Sequence, residues 1–354
     1  MITKMPNQRI YLDHAATTPL LPAAREAMLA GFAEWANPSS PHAEGRRARA
    51  ALEDARARIA QALGWTGEVI LTSGASEALA IGLTRCRLPL TATSAVEHEA
   101  VMRHAEGKQR LALGAGGLVD PASAALGGLV AIQQINNETG VIQPLAEIAA
   151  AVRGAGGLLL ADCAQGVGKL ALPDADLIAL SAHKFGGPIG VGALLVRDWA
   201  MLHPGGGQER GYRAGTENLP GVLAMAAALE ESSDWLATAV RLRQQLELSI
   251  SAAGGEVIAA QTPRLPTIGA YRMPGMSAAA QLIRFDGMGI AVSAGSACSS
   301  GSLRTSHVLG AMGMDDKVAS EVIRVSIGRE TSEADVNRFL TAWQEIASKA
   351  RAAA

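Results

Sequence analysis

The sequence predicts an α/β protein with a mainly parallel sheet covered by helices, followed by a smaller α+β region. Three features predict it. Short apolar runs alternate with helical stretches between Glu68 and Val196, the pattern of parallel strands joined by crossover helices. Polar residues stand where those runs end: Ser76, His98, Asn137, Asp162 with Gln165, and Ser181 with His183 and Lys184. Beyond Gly255 the alternation changes to a mixed α+β pattern.

Taken in order, Ile10 to Asp13 reads as a short strand and Pro22 to Phe32 as a helix. Asn37 to His42 is a polar loop with serines able to cap the next helix. Ala43 to Leu63 is that helix, because Leu52, Ala55, Ile59 and Leu63 recur at helical spacing with arginines opposite. Glu68 to Leu71 is a strand, Thr72 to Ser76 a turn, and a helix runs from Glu77. Leu90 to Ser94 is a strand, and Val96 to Glu99 opens a helix. The strand Gly128 to Ile135 ends in Asn136-Asn137-Glu138-Thr139-Gly140. Pro144 to Val152 is a helix with proline near its start. Leu158 to Ala161 is a strand ending at Asp162, and Leu177 to Ser181 and Val191 to Val196 are further strands. Leu219 to about Ile250 reads as one long helix. Strands come next near Glu256 and Thr267, then a helix at Ala278 to Phe285, strands at Ile290 to Ser293 and Val322 to Ile327, and a last helix from Ser332. Ser332 with Asp335 has the form of a capping box. The expected division is residues 16–240 as the large domain, with 1–15 and 241–354 forming the small one.

Length and composition fit this. The chain has 354 residues, 49% apolar and 18% charged, with a formal net charge of -2. That charge argues against an electrostatic binder of nucleic acid or membrane. No apolar run approaches the ~18 residues of a membrane span, and the N-terminus lacks the apolar core of a signal peptide. Cys86, Cys163 and Cys298 are far apart and odd in number. They make neither a disulfide framework nor a CxxC metal site, and a cytoplasmic location is expected. The histidines of HEAVMRH fall six apart rather than four, so the stretch is not a zinc-protease helix. No strand leads into GxGxxG, and no Walker sequence is present.

In an open α/β sheet, ligands bind at the carboxyl ends of the strands. The stretch Asp176 to Gly192 ends a strand at Ser181, sets His183 beside Lys184 and leaves through a glycine-rich turn. Pyridoxal phosphate needs such a lysine for a Schiff base and a carboxylate to hold its pyridinium proton. Lys184 and Asp162 supply that pair. Its phosphate is best held at a helix N-terminus, and Ser73-Gly74-Ala75-Ser76 has that form. An aromatic face over the ring accounts for His98.

Across nearly its whole length the chain resembles the cysteine desulfurases, fold type I pyridoxal-phosphate enzymes of the class-V aminotransferase group. The resemblance runs through YLDHAATTP, NPSSPH, LTSGASEA, EHEAV, NNETG, DCAQGVGK, SAHKFGGPIGVGALLVR, GGGQERGYRAGTEN, GSACSSGS and IRVSIGR. It implies that Lys184 carries the cofactor, Asp162 pairs with the ring nitrogen, and His98 stacks on the ring and moves protons. It implies Asn137 and Gln165 at the ring hydroxyl, and Ala75, Ser76, Ser181 and His183 around the phosphate. By the same resemblance Thr216 reaches the cofactor of a partner subunit, implying a homodimer. Arg324 clamps the substrate carboxylate, a bidentate task suited to guanidinium, with Asn37 assisting.

Cys298 lies among small and polar residues, Ser293 to Ser302, a poor setting for a packing cysteine. The resemblance makes it the acceptor of sulfur from L-cysteine, leaving L-alanine and a persulfide on Cys298. Its loop matches the long-cysteine-loop type, which hands sulfur to an iron–sulfur scaffold or a thiolation enzyme. Three departures stand out: Ala182 where glycine is usual, Ile189 where many members have lysine, and Cys163 where alanine is common. None removes a reacting group. The sequence also lacks the C-terminal extension that docks the scaffold in some members, which leaves the acceptor open. The alternatives are a selenocysteine lyase or an aminotransferase of the same fold, and a non-catalytic binding protein. Cys298 argues against the aminotransferase and leaves selenocysteine open, while Lys184, Asp162 and Cys298 together argue against the silent protein.

Overall fold

Strand formation follows the apolar runs. The computed structural model describes residues 9–295 and 305–353. In it the strands are β1 (Ile10–Tyr11), β2 (Glu68–Thr72), β3 (Leu90–Thr93), β4 (Gln109–Arg110), β5 (Leu129–Gln133), β6 (Leu158–Asp162), β7 (Leu177–Ser181), β8 (Gly192–Val196), β9 (Glu256–Val257), β10 (Ile268–Arg272), β11 (Ile290–Ala291) and β12 (Val322–Ser326). The α-helices are α1 (Pro22–Gly31), α2 (Ala43–Ala62), α3 (Ala75–Arg85), α4 (Glu99–Met102), α5 (Leu145–Gly154), α6 (Leu219–Leu229), α7 (Leu236–Ala252), α8 (Ala278–Gly287), α9 (His307–Ala311), α10 (Asp316–Ala319) and α11 (Glu333–Ala353).

The central sheet runs in the order β2-β8-β7-β6-β5-β3-β4. Its pairs are parallel from β4 through β7. The exception is β8, antiparallel to both β7 and β2. It follows β7 through a tight glycine-rich turn, and a connection that short permits only an antiparallel return. The two antiparallel steps cancel, so β2 points the same way as β7. The ends at Thr72, Gln133, Asp162 and Ser181 therefore share one edge.

Helices cover both faces, and the strands divide their side chains between them by period-2 alternation. Val130 and Ile132 join Leu52, Ile59 and Ile148 on one face. Leu129 and Ala131 join Leu79, Val101 and Leu160 on the other. A separate core gathers Leu12, Leu246, Tyr271, Phe285, Phe339 and Trp343, with the rings of Phe285 and Phe339 stacked at 5.1 Å. Its sheet, β12-β10-β9, is antiparallel.

Two elements differ from the sequence expectation in ways that matter. The long helix over Leu219–Ile250 is two helices, α6 and α7, because Ser232-Ser233-Asp234 diverts the backbone: the Ser232 hydroxyl accepts from the Asp234 N–H at 3.1 Å. The helix expected from Glu77 begins two residues earlier, at Ala75, so Ala75 and Ser76 occupy its first turn. Ser332 and Asp335 do form the reciprocal cap of α11, with Asp335 N–H donating to Ser332 Oγ at 3.2 Å and Ser332 N–H to Asp335 Oδ2 at 3.0 Å. Among the described residues, no helix is long and apolar enough to cross a membrane.

Candidate active site

The shared strand edge assembles the site. Lys184 follows β7 directly, in a short 3₁₀ turn. Its Nζ donates to the carbonyls of Ala15 at 2.7 Å and Ala16 at 2.9 Å. Those carbonyls belong to the segment after β1, so a lysine from the large sheet is held by the chain's first turn. Burial lowers the Lys184 amine to about 8, helped by Arg324 and opposed by Asp162 and Asp13.

Asp162 ends β6, the strand next to β7, and is buried. Its Oδ1 accepts from Ala164 N–H at 2.9 Å, and its other oxygen has no partner among the described residues. Burial raises its pKa, while His98 and Lys184 pull it down. A buried carboxylate with so little compensation calls for a cation. The pyridinium N–H of pyridoxal phosphate is a cation of that kind.

The phosphate end fits equally well. α3 has no side-chain cap, so the N–H groups of Ala75 and Ser76 lack intrahelical acceptors. Gly74 precedes them at φ 150, a conformation that favours glycine. Ser181 Oγ lies 3.4 Å from where a Gly74 Cβ would stand. Open N–H groups, a hydroxyl and the positive helix end make an anion cradle. His183 is beside it, its Nδ1 3.0 Å from Thr17 Oγ1; burial pushes its pKa down to about 4, so it is a neutral hydrogen-bonding group at neutral pH.

His98 caps α4, accepting the Ala100 N–H on Nδ1 at 3.1 Å. The residue keeps an exposed surface although its ring lies in the site. Desolvation of its ring holds its pKa below the usual value, against the pull of Asp162. Gln165 is buried, its amide donating to Ala15 O at 2.9 Å. Asn137 is half-buried, and its side-chain amide makes no hydrogen bond among the described residues.

Arg324 comes from β12, in the second core's sheet, and is buried. Its guanidinium donates to Asn137 O at 2.9 Å and to Asp13 Oδ1 at 2.8 Å. Its buried Nε has no partner among the described residues. One donor is thus unused beside a carboxylate that a bound substrate carboxylate would have to displace or share.

Two expected residues stand apart. Asn37 lies in an exposed turn, its side-chain oxygen accepting from Ser39 N–H at 2.8 Å, and no hydrogen bond joins it to Arg324. Thr216 is exposed and makes no side-chain hydrogen bond among the described residues. Cys298 lies outside the described residues. Asp13 and Lys169 contribute to the site although neither was expected there from the sequence. Lys169 Nζ donates to Gln165 O at 3.1 Å and Lys184 O at 2.9 Å, bracing the lysine turn. Both residues stand inside the motifs YLDHAATTP and DCAQGVGK, and that membership was their one signal in the sequence.

Glu97, next to His98, supports the site from below. It is buried, and burial raises its carboxyl from 4.5 to about 8. Ser94 Oγ donates to it at 2.6 Å and Gln133 N–H at 2.8 Å. The folded protein therefore keeps this proton up to pH about 8, whereas the unfolded chain releases it near 4.5. Across that window the folded state binds more protons, so stability is lost as pH rises. Glu97→Gln removes the titration. Its melting temperature should gain on wild type steadily as pH is raised from 5 to 8. A constant difference in thermal unfolding across that range would show Glu97 ionised in the fold.

Comparison with known proteins places this geometry in context. Residues 10–339 match the family described as Aminotransferase class-V. A cysteine desulfurase of Cereibacter sphaeroides is 37% identical, over 98% of this chain and 97% of its own. The X-ray structure of a NifS-like protein from Rickettsia africae superimposes with a TM-score of 0.87 at 29% identity, covering 96% of this chain and all of that one. The structure of SspA in complex with cysteine gives a TM-score of 0.78 at 28% identity, covering 91% of this chain and all of that one.

Proposed function

The chain belongs to the class-V aminotransferase family and acts as a pyridoxal-phosphate-dependent cysteine desulfurase; from that premise we propose that Lys184, Asp162, His98, Arg324 and Cys298 carry the reaction on L-cysteine. The observation that supports this assignment best is the convergence of Lys184, the under-compensated Asp162 carboxylate and the uncapped start of α3 on one sheet edge. These three groups match the aldehyde, the ring nitrogen and the phosphate of the cofactor in chemistry.

When bound, pyridoxal phosphate supplies an electron sink for the substrate's carbon skeleton. Asp162 would hold the ring-nitrogen proton that keeps the sink open. Ala75, Ser76, Ser181 and His183 would hold the phosphate. Asn137 and Gln165 would address the ring hydroxyl, and His98 would stack on the ring. Lys184, lowered to about 8, keeps a larger neutral share than an ordinary lysine. That neutral share would let it hold the cofactor when bound and then take the α-carbon proton as a base. Arg324 would orient the substrate carboxylate; an assisting role for Asn37 would require its exposed turn to approach the bound substrate. The Cys298 thiolate attacks the substrate sulfur. The carbon–sulfur bond would break with its electron pair left on the β-carbon; His98 would deliver there the proton given up by the Cys298 thiol, Lys184 would return the α-carbon proton, and alanine would leave with the sulfur kept on Cys298 as a persulfide.

Thr216, exposed in the protomer, suits a contact with the cofactor of a second subunit in a homodimer. Sulfur then passes to an acceptor protein, for iron–sulfur cluster assembly or RNA thiolation. The free thiols of Cys86 and Cys163 fit a reducing cytoplasm. The two cores suit a division at residues 16–240 against 1–15 and 241–354.

Purified, cofactor-loaded protein with a reductant should convert L-cysteine to alanine and sulfide in equal amounts. Cofactor held at Lys184 without alanine formation would redirect the reading to another amino acid, selenocysteine first. Arg324→Ala should weaken cysteine binding by roughly 2 to 5 kcal/mol, the range for truncating a buried charged pair. An unchanged half-saturating cysteine concentration would move the carboxylate site elsewhere.

A further inference from the structure

The turn after β5 does more than present Asn137. Asn136 pins it: its Oδ1 accepts from the N–H groups of Glu138 and Thr139 at 2.9 Å, and its Nδ2 donates to Val96 O at 2.9 Å. From this fixed turn the Asn137 carbonyl reaches Arg324. The next side chain, Glu138, points elsewhere and is buried. Its Oε2 accepts from Ser306 Oγ at 2.6 Å. Ser306 is also the N-cap of α9, accepting from Leu309 N–H at 3.1 Å. On its other side Glu138 touches Gly295. A Cβ at Gly295 would lie 2.8 Å from Cγ and Oε2 of Glu138, so only glycine permits this approach.

Gly295 and Ser306 flank the segment that carries Cys298 in the sequence. One carboxyl group therefore meets both ends of that segment. A second tie lies next to it: His307 Nε2 is 2.9 Å from Glu97 O, one residue before His98. On the entry side Ser293 pairs with Arg324 through both backbone bonds, at 3.1 and 2.6 Å. A cavity of about 210 Å³ opens among Glu138, Gly295, Ser306, Leu309 and Arg324.

We propose that Glu138 is a positioning residue for sulfur transfer: it ties both ends of the Cys298 segment to the turn that supplies Asn137 and holds Arg324. His307 reinforces the tie through Glu97. The inference rests on the reading that Cys298 accepts the sulfur. The Glu138 carboxylate makes its hydrogen bond to Ser306 rather than to Lys184, Asp162 or Arg324, and its proposed effect is on how often the thiol meets the bound cysteine. Reaction rates are sensitive to displacements of this kind at about the 1 Å level.

The test compares Glu138→Ala, Ser306→Ala and Glu138→Gln in cofactor-loaded protein. Three readouts are taken: alanine turnover, the half-saturating cysteine concentration of the cofactor's visible absorbance change, and amide hydrogen exchange across α9. Glu138→Ala should lower kcat about tenfold or more while half-saturating cysteine stays within about threefold. Exchange across α9 should accelerate. Ser306→Ala, a milder change, should move the same way. Glu138→Gln keeps an oxygen acceptor for Ser306 and should recover most of the loss. Turnover in Glu138→Ala within about twofold of wild type, or a parallel loss of cysteine binding and turnover, overturns the proposal. Cys298→Ser is measured alongside. Wild-type turnover in that protein would remove the reading beneath the proposal, whereas an inactive Cys298→Ser with a fully active Glu138→Ala would remove the proposal alone.

Discussion

Replacing Lys184 with alanine should leave a protein that takes up pyridoxal phosphate only reversibly and releases no sulfur. The strand β7 ends at Ser181 and delivers the lysine to the sheet edge, three residues on. Its amine is held by two carbonyls and lowered to about 8, so both roles proposed for it, nucleophile and base, depend on this one nitrogen. A second amine, Lys169, stands beside it. Its Nζ is committed to the carbonyls of Gln165 and Lys184, and burial with the neighbouring Lys184 charge brings it to about 7. It is a brace, not a spare nucleophile. General base catalysis alone contributes ~10² to 10⁴ in rate, and the variant also loses covalent attachment, so turnover should fall by at least that range. Borohydride treatment checks the attachment directly. Wild type should retain reduced cofactor on the peptide containing Lys184. A cofactor adduct trapped in Lys184→Ala would contradict the assignment.

Cys298→Ser should separate binding from sulfur release. The groups that fit the cofactor come from β6, β7, the start of α3 and the loops around them, and none depends on Cys298. The variant should therefore bind cofactor, change its visible spectrum on adding cysteine, and stop there. The loss should be on the order of 10³-fold or more, as for removal of a nucleophile. Neither remaining thiol can stand in. Cys163 is fully buried, and burial with Asp162 beside it raises its pKa far above the usual thiol value. Cys86 is half-buried and also raised. A thiol kept protonated is a poor nucleophile. Sulfide output matching wild type would take Cys298 out of the mechanism.

The sheet was legible in the sequence because buried strands need continuous apolar runs, and Leu129–Gln133, Leu158–Asp162 and Leu177–Ser181 are such runs. Their polar ends were legible for the same reason, since Asp162 and Lys184 break the apolar pattern where the sheet opens. Direction was not legible. Gly192–Val196 is as apolar as its neighbours, and only the short turn before it makes it antiparallel. The break between α6 and α7 was hidden within a helix-favouring composition. Long-range pairings were hidden too. Asp13 and Arg324 are 311 residues apart in sequence, and no local spacing links them. Glu138 read as part of a motif, but its contacts with Gly295 and Ser306 exist only once β5, β12 and α9 come together. What a sequence pattern encodes best is burial and local turn chemistry, and the site's support structure is neither.

The most direct test is a single turnover of cofactor-loaded protein with L-cysteine and no reductant, followed by peptide mapping. One alanine should form for each sulfur atom gained, and the added sulfur should be on the peptide carrying Cys298. Alanine formed with no added sulfur there, or with the sulfur on Cys86 or Cys163, would contradict the account.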